Sequence, residues 1–252
     1  MMTKVKTPAE LANMRESGRM LATVLDVVGK SIEVGITTKE LDTIAAKELT
    51  RLGGKPAFLG LYGFPAVICI SLNDEVVHGI PSKHVVKSGD IISFDFGVNY
   101  NGMITDAART ILVGPHNKAK QNLIDGTLES LDAGIAAVKN GAHVGDISAH
   151  VQAVLDGYGY GIVRDLVGHG VGHELHEEPN IPNYGKAGTG PALIAGMTIA
   201  IEPMTTLGSF KVYTASDGWT IATRDGSLAA HFEDTVLVTE AGAEILTRQK
   251  NI

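Results

Sequence analysis

The chain has 252 residues, a formal net charge of −7 and a sequence pI near 5.7. A chain of this length holds one large domain or two small ones and buries a substantial core. Apolar residues make up 44% of the sequence and charged residues 19%, which is typical of a globular protein. The acidic balance argues against a nucleic-acid partner, which needs clustered Lys and Arg, and favours a small or peptide substrate.

Targeting signals and cysteine usage limit the compartment. The first residues lack the apolar stretch of a signal peptide, and no run approaches the roughly 18 apolar residues of a membrane span. The single cysteine, Cys69, excludes internal disulfides and a cysteine-based zinc module. We therefore expect a cytoplasmic protein without a membrane partner. We also expect a monomer, because no unexplained apolar helix face suggests a dimer seam.

Helix caps and apolar patterns predict an α+β class. Thr7-Pro8-Ala9-Glu10 has capping-box spacing with proline at the first helical position, and a second helix begins at Thr37-Thr38-Lys39-Glu40 and ends at Gly53-Gly54. Two more helices are predicted around 118–139 and 144–156. Strands are predicted over 66–72, 91–98, 103–113, 197–205, 219–224 and 231–239. The helices should cover one face of a mainly antiparallel sheet.

The two halves of the chain repeat one pattern. Asp95 lies in the apolar run 91–96 and Glu202 in the equally apolar run 197–202, each after a glycine-containing turn. The same alignment pairs Asp106 with Glu233 and His78-Gly79 with His169-Gly170. A period of about one hundred residues is too long for a solenoid. We predict a single catalytic domain over 1–252, with halves of about 1–115 and 116–252 and a site between them.

The turn at Asn101-Gly102 determines how two of these acids meet. If residues 99–102 all form the loop, Asp95 lies directly opposite Asp106; if only Asn101-Gly102 turns, the two acids are diagonal neighbours. Both registers place them on one sheet face. Two carboxylates at this spacing are destabilising unless a proton or a cation intervenes.

Four hard oxygen donors and one imidazole form a candidate metal-ligand set: Asp95, Asp106, His169, Glu202 and Glu233. Such donors suit divalent ions, and four carboxylates are enough to bridge two ions about 3.5 to 4 Å apart. Taken singly, each acid is more often found at a strand edge or in a salt bridge, for example with Arg109. The coincidence of paired acids in both halves favours a dinuclear hydrolase site.

Other polar residues have weaker claims to a role. His78 and His176 lie beside a glycine or in a turn-like segment, where a structural role is as common as a functional one. The remaining histidines assessed, His84, His116, His143 and His150, are expected to be solvated. Cys69 is expected to be a core residue, since no triad pattern surrounds it. The segment 168–172 is rich in glycine but lacks the spacing of a phosphate-binding loop.

On these residues the chain resembles the type I methionine aminopeptidases, members of the pita-bread family of dinuclear metallopeptidases. The match runs through essentially the whole sequence and includes Tyr62-Gly63-Phe64-Pro65, Val77-His78-Gly79-Ile80-Pro81, Gly168-His169-Gly170-Val171-Gly172, His176-Glu177-Glu178-Pro179, Ile201-Glu202-Pro203-Met204, Asp217-Gly218-Trp219-Thr220 and Phe232-Glu233. The resemblance implies a pita-bread fold and removal of N-terminal methionine from nascent proteins and peptides, with preference for a small second residue. It also implies two divalent ions, which are cobalt, manganese, iron or zinc.

The resemblance assigns a role to each candidate ligand. Asp95 would chelate one ion, Asp106 and Glu233 would bridge both, and His169 and Glu202 would complete the shell of the other. Glu202 would also act as the general base for attack by a metal-bridging water.

The resemblance also places the substrate. His78 would hydrogen-bond the substrate backbone or donate a proton to the leaving amine, and His176 would stabilise the oxyanion. The methionine pocket maps to Phe64, Cys69, His78 and Trp219. Three positions depart from the family pattern: Leu61 and Leu175 replace common aromatic residues, and His173 replaces an arginine. These departures bear on side-chain selectivity rather than on hydrolysis.

Two alternatives belong to the same fold. Xaa-Pro peptidases share the metal ligands but usually carry a large additional N-terminal domain, whereas the first predicted helix begins by residue 8. Non-catalytic relatives typically lose metal ligands, and here all five positions are filled. Contact with the ribosome is left open by the sequence.

Overall fold

Residues 3–249 are described by the structure, a computed structural model. Their α-helices span Pro8–Ser31 (α1), Thr38–Leu52 (α2), Lys118–Ala136 (α3) and Val144–Tyr158 (α4). Both predicted capping boxes are present, at the start of α1 and at the start of α2. Helix α2 ends at Gly53, whose φ of 84° is a left-handed conformation that glycine adopts without steric cost.

Two helix ends in the second half differ from the prediction. Helix α3 ends at Ala136 rather than at 139, because Val138 closes a turn on Ile135 and Asn140 donates its backbone N–H to the Thr239 carbonyl. Helix α4 continues to Tyr158 and ends at Gly159 in the left-handed conformation.

The strands are short except for one long hairpin. They span Lys55–Pro56 (β1), Ile68–Leu72 (β2), Glu75–Val77 (β3), Ile91–Tyr100 (β4), Met103–Leu112 (β5), Gly161–Ile162 (β6), Gly168–Gly170 (β7), Glu177–Ile181 (β8), Thr198–Ile201 (β9), Met204–Thr206 (β10), Val212–Thr214 (β11), Ile221–Thr223 (β12), Ala229–His231 (β13), Asp234–Val238 (β14) and Ala243–Ile245 (β15). The paired strands of residues 3–249 run antiparallel and form four hydrogen-bonded sheets. The predicted α+β class is therefore correct.

Two predicted strands are each interrupted at a candidate ligand. The strand expected over 197–205 breaks between β9 and β10 at Glu202-Pro203, because proline has no backbone N–H to donate to a ladder. The strand expected over 231–239 breaks between β13 and β14 at Phe232-Glu233. Both glutamates therefore lie at strand ends, where the side chain is freed from the strict alternation of a regular sheet.

The β4–β5 hairpin has the shorter of the two turns considered. Tyr100 pairs with Met103, so only Asn101 and Gly102 turn, and both have the positive φ values (50° and 83°) typical of a tight hairpin. Asp106 therefore lies opposite Gly97 and Asp95 opposite Ala108. Of the two predicted registers, the one with a four-residue loop is wrong. The two acids are diagonal neighbours on one sheet face.

Two large apolar clusters support the sheets. Helices α1 and α2 pack on β2 and β4 in the first cluster, and α3 and α4 pack on β9 and β14 in the second. A third, smaller cluster joins Phe64 and Cys69 of the first half to Val171, Leu175 and Ala200 of the second. The division of a single domain into two halves stays a prediction. Among residues 3–249 no helix is both long and apolar enough to cross a membrane.

Candidate functional site

One cavity of about 270 Å³ gathers the site residues predicted from the sequence. All ten of them line it: Phe64, Cys69, His78, Asp95, Asp106, His169, His176, Glu202, Trp219 and Glu233. The cavity therefore has an acidic end and an apolar end, and it lies beside the third apolar cluster that joins residues from both halves.

The acidic end has the spacing of a metal centre. Ligand atoms of Asp106, His169 and Glu233 lie within 4.8 Å of one another. Nε2 of His169 lies 3.5 Å from Oε1 of Glu202. On its other side, Nδ1 of His169 lies 2.9 Å from the Gly170 carbonyl, which can only accept a hydrogen bond. Nδ1 must therefore carry the proton of the neutral ring, and Nε2 presents its lone pair to the carboxylates.

Asp95, Asp106 and Glu233 are buried and Glu202 is partly buried, and among residues 3–249 no Lys or Arg side chain forms a salt bridge with any of these four acids. Burial, followed by the neighbouring acids, raises the pKa of Asp106 and Glu233 well above the usual values. Burial also raises the pKa of Asp95 to about 6 and that of Glu202 to about 8. One oxygen on each of Asp95, Asp106 and Glu233 is buried without a hydrogen-bond partner. Clustered hard donors with unused acceptor oxygens are the environment that divalent cations require, so these residues fit a metal centre.

Arg109 does not supply the missing positive charge. Its guanidinium lies 2.8 Å from Oδ1 of Asp234 and donates to the backbone carbonyls of Glu233 and Thr247. The hypothesis that it pairs with one of the four acids is wrong, because strand β14 directs the Asp234 side chain, not that of Glu233, toward it. Arg109 instead fixes the backbone that carries Glu233.

Two further histidines, His78 and His176, line the same cavity as the acids. His78 has a φ of 61°, an uncommon conformation for a residue with a side chain, and burial is the main reason that its pKa falls to about 4. The turn requires glycine at the next position, because a Cβ at Gly79 would lie 2.1 Å from the Ile70 carbonyl oxygen. The ring of His176 meets the ring of His169 edge-on at 4.6 Å, and burial lowers the pKa of His176.

A third histidine was missed by the sequence reading. His231 ends strand β13, is 1% exposed and places Nε2 3.6 Å from Oε2 of Glu202. Burial lowers its pKa to about 4, so the ring is neutral. Its only distinguishing feature in the sequence is its position two residues before the candidate ligand Glu233. The histidines at 84, 116 and 150 are exposed as expected, whereas His143 is partly buried at the start of α4.

Aromatic, aliphatic and sulfur-containing side chains line the apolar end of the cavity. The rings of Phe64 and Trp219 meet edge-on at 5.1 Å, and Cys69 is buried between neighbouring strands. Burial and the nearby acids raise the pKa of the Cys69 thiol, so it stays protonated and acts as an apolar surface. Two of the positions that depart from the family pattern, Leu61 and Leu175, also line this end.

The third departure lies outside the cavity. His173 places Nε2 2.8 Å from Oε1 of Glu10 on α1, and its backbone N–H donates to Glu177. The residue therefore connects the loop after β7 to the first helix and does not contact the apolar pocket.

Known proteins match this geometry and sequence. The profile of metallopeptidase family M24 matches residues 12–240. The chain belongs to metallopeptidase family M24. A methionine aminopeptidase of Clostridium perfringens is 46% identical over 243 residues, which cover 96% of this chain and 98% of that one. The crystal structure of the Thermotoga maritima methionine aminopeptidase superposes with a TM-score of 0.97 at 46% identity, over 98% of this chain and 100% of that chain.

Xaa-Pro peptidases share the fold at a greater distance. The Pyrococcus furiosus prolidase has a TM-score of 0.79 at 26% identity, and the match covers 98% of this chain and 66% of that chain. The expected resemblance to the methionine aminopeptidases and the expected pita-bread fold are both confirmed.

Proposed function

We propose that this protein hydrolyses the peptide bond after an N-terminal methionine, with two divalent ions held by Asp95, Asp106, His169, Glu202 and Glu233. The observation that carries the proposal is the set of buried carboxylate oxygens that have no hydrogen-bond partner. Leaving such acceptors unpaired costs about 1 to 3 kcal/mol each, and more when they are charged. Divalent ions held by these oxygens would offset this cost.

The positions of the five proposed ligands suggest which ion each of them would hold. Asp106, His169 and Glu233 already form a close group, and Asp95 joins it from the diagonal position on the hairpin. We propose that Asp95 binds one ion, that His169 and Glu202 bind the other, and that Asp106 and Glu233 bridge both. The donor set suits cobalt, manganese, iron or zinc. When bound, such ions lower the pKa of a coordinated water and polarise the substrate carbonyl.

Glu202 is the proposed general base. Its carboxylate lines the acidic end of the cavity beside the other proposed ligands, within reach of a water coordinated there, which is the geometry a general base requires. Oε1 faces His169 and Oε2 faces His231, so Oε1 would serve the ligand role, while Oε2 has two lone pairs and can accept the proton of the attacking water beside its histidine neighbour.

His78 and His176, which line the cavity, are proposed to act on the substrate. Burial lowers the pKa of His78 to about 4, so its neutral ring would hydrogen-bond the substrate backbone through its N–H; to protonate the leaving amine, the ring would first have to take up a proton during the reaction. His176, packed against the ligand His169, would donate to the oxyanion as the carbonyl becomes tetrahedral. Phe64, Cys69 and Trp219 would receive the methionine side chain, whose thioether packs well on aromatic and sulfur surfaces.

The wider setting follows from this activity. We propose that the substrates are nascent chains and peptides with a small second residue, and that the protein acts in the cytoplasm as a monomer of one catalytic domain. The relatives named above are described as methionine aminopeptidases.

Peptide hydrolysis tests the proposal directly. Chelator-treated and metal-reconstituted protein is incubated with Met-Ala-Ser and Leu-Ala-Ser, and released amino acid is quantified. We expect methionine release only with metal, little leucine release, and loss of turnover in Glu202→Ala. Hydrolysis of Xaa-Pro dipeptides in preference to Met-Ala-Ser would instead assign the prolidase activity. Unchanged turnover in His78→Ala or His176→Ala would remove that histidine from the mechanism.

A further inference from the structure

We propose that His231 is a positioning residue that holds the Oε2 oxygen of Glu202, an inference that rests on the proposed role of Glu202 as ligand and base. Both ring nitrogens of His231 are buried and have no hydrogen-bond partner among the described residues. No other buried imidazole described here lacks a partner at both nitrogens.

A buried imidazole without hydrogen-bond partners destabilises the folded protein. Each unpaired buried polar group costs about 1 to 3 kcal/mol, which an apolar side chain of similar shape would avoid. The residue is also held rigidly, because its backbone pairs with Met204 in the β10–β13 ladder and exchanges hydrogen bonds with the Thr110 hydroxyl. The His231 ring is held in place, its burial without hydrogen-bond partners is destabilising, and it lies beside the proposed catalytic carboxylate. This combination indicates a function rather than simple packing.

The position of Glu202 identifies that function. Its carboxylate lies between two imidazoles, with Oε1 3.5 Å from Nε2 of His169 and Oε2 3.6 Å from Nε2 of His231. The second separation is slightly longer than a hydrogen bond, and the two atoms would have to approach by a few tenths of an ångström to form one. An Nε2–H donor at that place fixes the plane of the carboxylate, so that Oε1 faces the ligand group.

Neighbouring groups are consistent with this orientation. The nearest ring nitrogen of His169 faces Oε1 of Glu202, and that of His231 faces Oε2. His169 and His231 thus approach the two oxygens of one carboxylate from different directions. Partners of this kind orient metal ligands, and their loss typically weakens metal affinity about 10- to 100-fold.

Cobalt binding tests the proposal with a readout that is independent of turnover. Co²⁺ is titrated into chelator-treated protein by calorimetry, the visible absorption of the bound ion is recorded, and the apo proteins are unfolded in urea. The variants are His231→Ala, His231→Gln, which keeps an N–H donor, and His116→Ala, an exposed histidine as matched control.

We expect His231→Ala to bind Co²⁺ about 10- to 100-fold more weakly with unchanged stoichiometry. His231→Gln should recover most of the affinity, and His116→Ala should match the wild type. Wild-type affinity in His231→Ala would overturn the proposal. An equal loss of Co²⁺ affinity in His231→Ala and His231→Gln, together with a lower stability of both apo proteins, would also overturn it, because that result indicates a packing role. Loss of one bound Co²⁺ with a changed absorption spectrum would overturn it as well, because that result indicates that His231 is a direct ligand. If the wild type itself binds no Co²⁺, the proposed metal centre fails first.

Discussion

Replacing Glu202 by glutamine should stabilise the metal-free protein. Burial raises the pKa of this carboxyl from 4.5 to about 8. Between these values the folded state binds more protons than the unfolded state, so its stability falls as the pH rises through the window. Glutamine resembles the protonated acid in shape but needs no proton, and the substitution removes this penalty.

The magnitude follows from the same shift. Protonating an ordinary glutamate at about pH 7.5 costs about 4 kcal/mol, at about 1.4 kcal/mol per pH unit. The folded apo protein bears most of this cost, so 4 kcal/mol is an upper limit for the gain in Glu202→Gln. Glutamine cannot relieve the remaining acids, Asp95, Asp106 and Glu233, so we expect about 2 to 4 kcal/mol. The gain should nearly vanish at about pH 4.5, where the wild-type carboxyl is protonated readily in both states.

Urea unfolding with and without divalent metal measures this effect. Metal should reverse the order, because each ion at about 100 times its Kd adds about 2.7 kcal/mol to the wild type and less to a protein that lacks a ligand. Glu33→Gln, at an exposed position, is the matched control and should change stability by less than about 0.5 kcal/mol. An apo Glu202→Gln protein no more stable than wild type at pH 7.5 would refute the electrostatic reasoning.

Three further predictions address other parts of the site. His176→Ala should lower kcat about 100- to 1,000-fold with little change in KM, as expected for an oxyanion donor; a change confined to KM would contradict that role. Lys6→Met should destabilise the protein by about 3 kcal/mol in urea, because the fully buried ammonium binds Glu177 at 3.3 Å and the Val171 carbonyl, whereas Lys4→Met at an exposed position should have little effect. Calorimetric Co²⁺ affinity should rise from pH 6 to 8, since Asp95 and Glu202 must lose protons whose pKa values are raised; affinity independent of pH would exclude them as ligands.

Local sequence signals predicted the helices and the main hairpin well. The capping boxes that open α1 and α2 depend on residues three positions apart, so they can be read without tertiary information. The Asn101-Gly102 turn left two registers open, and only the cross-strand pairing decided between them. The candidate ligands were found because acids inside apolar strands are unusual enough to be informative singly and decisive in pairs.

Long-range contacts explain what the sequence did not show. The strands around Glu202 and Glu233 read as continuous apolar runs, yet each breaks at the glutamate as the chain passes from one sheet to another. Arg109 could be assigned to Asp234 only when the partner strand was in place. His231 had no distinguishing neighbour in sequence, because its relation to Glu202 is created by the folding of β13 beside β10.

Anomalous diffraction from crystals grown with Mn²⁺ or Co²⁺ tests the central claim most directly. The account predicts two peaks about 3.5 to 4 Å apart, bounded by Asp95, Asp106, His169, Glu202 and Glu233, with Asp106 and Glu233 between them. A single weak peak on the surface, or well-occupied ions whose ligands do not include these carboxylates, would contradict it.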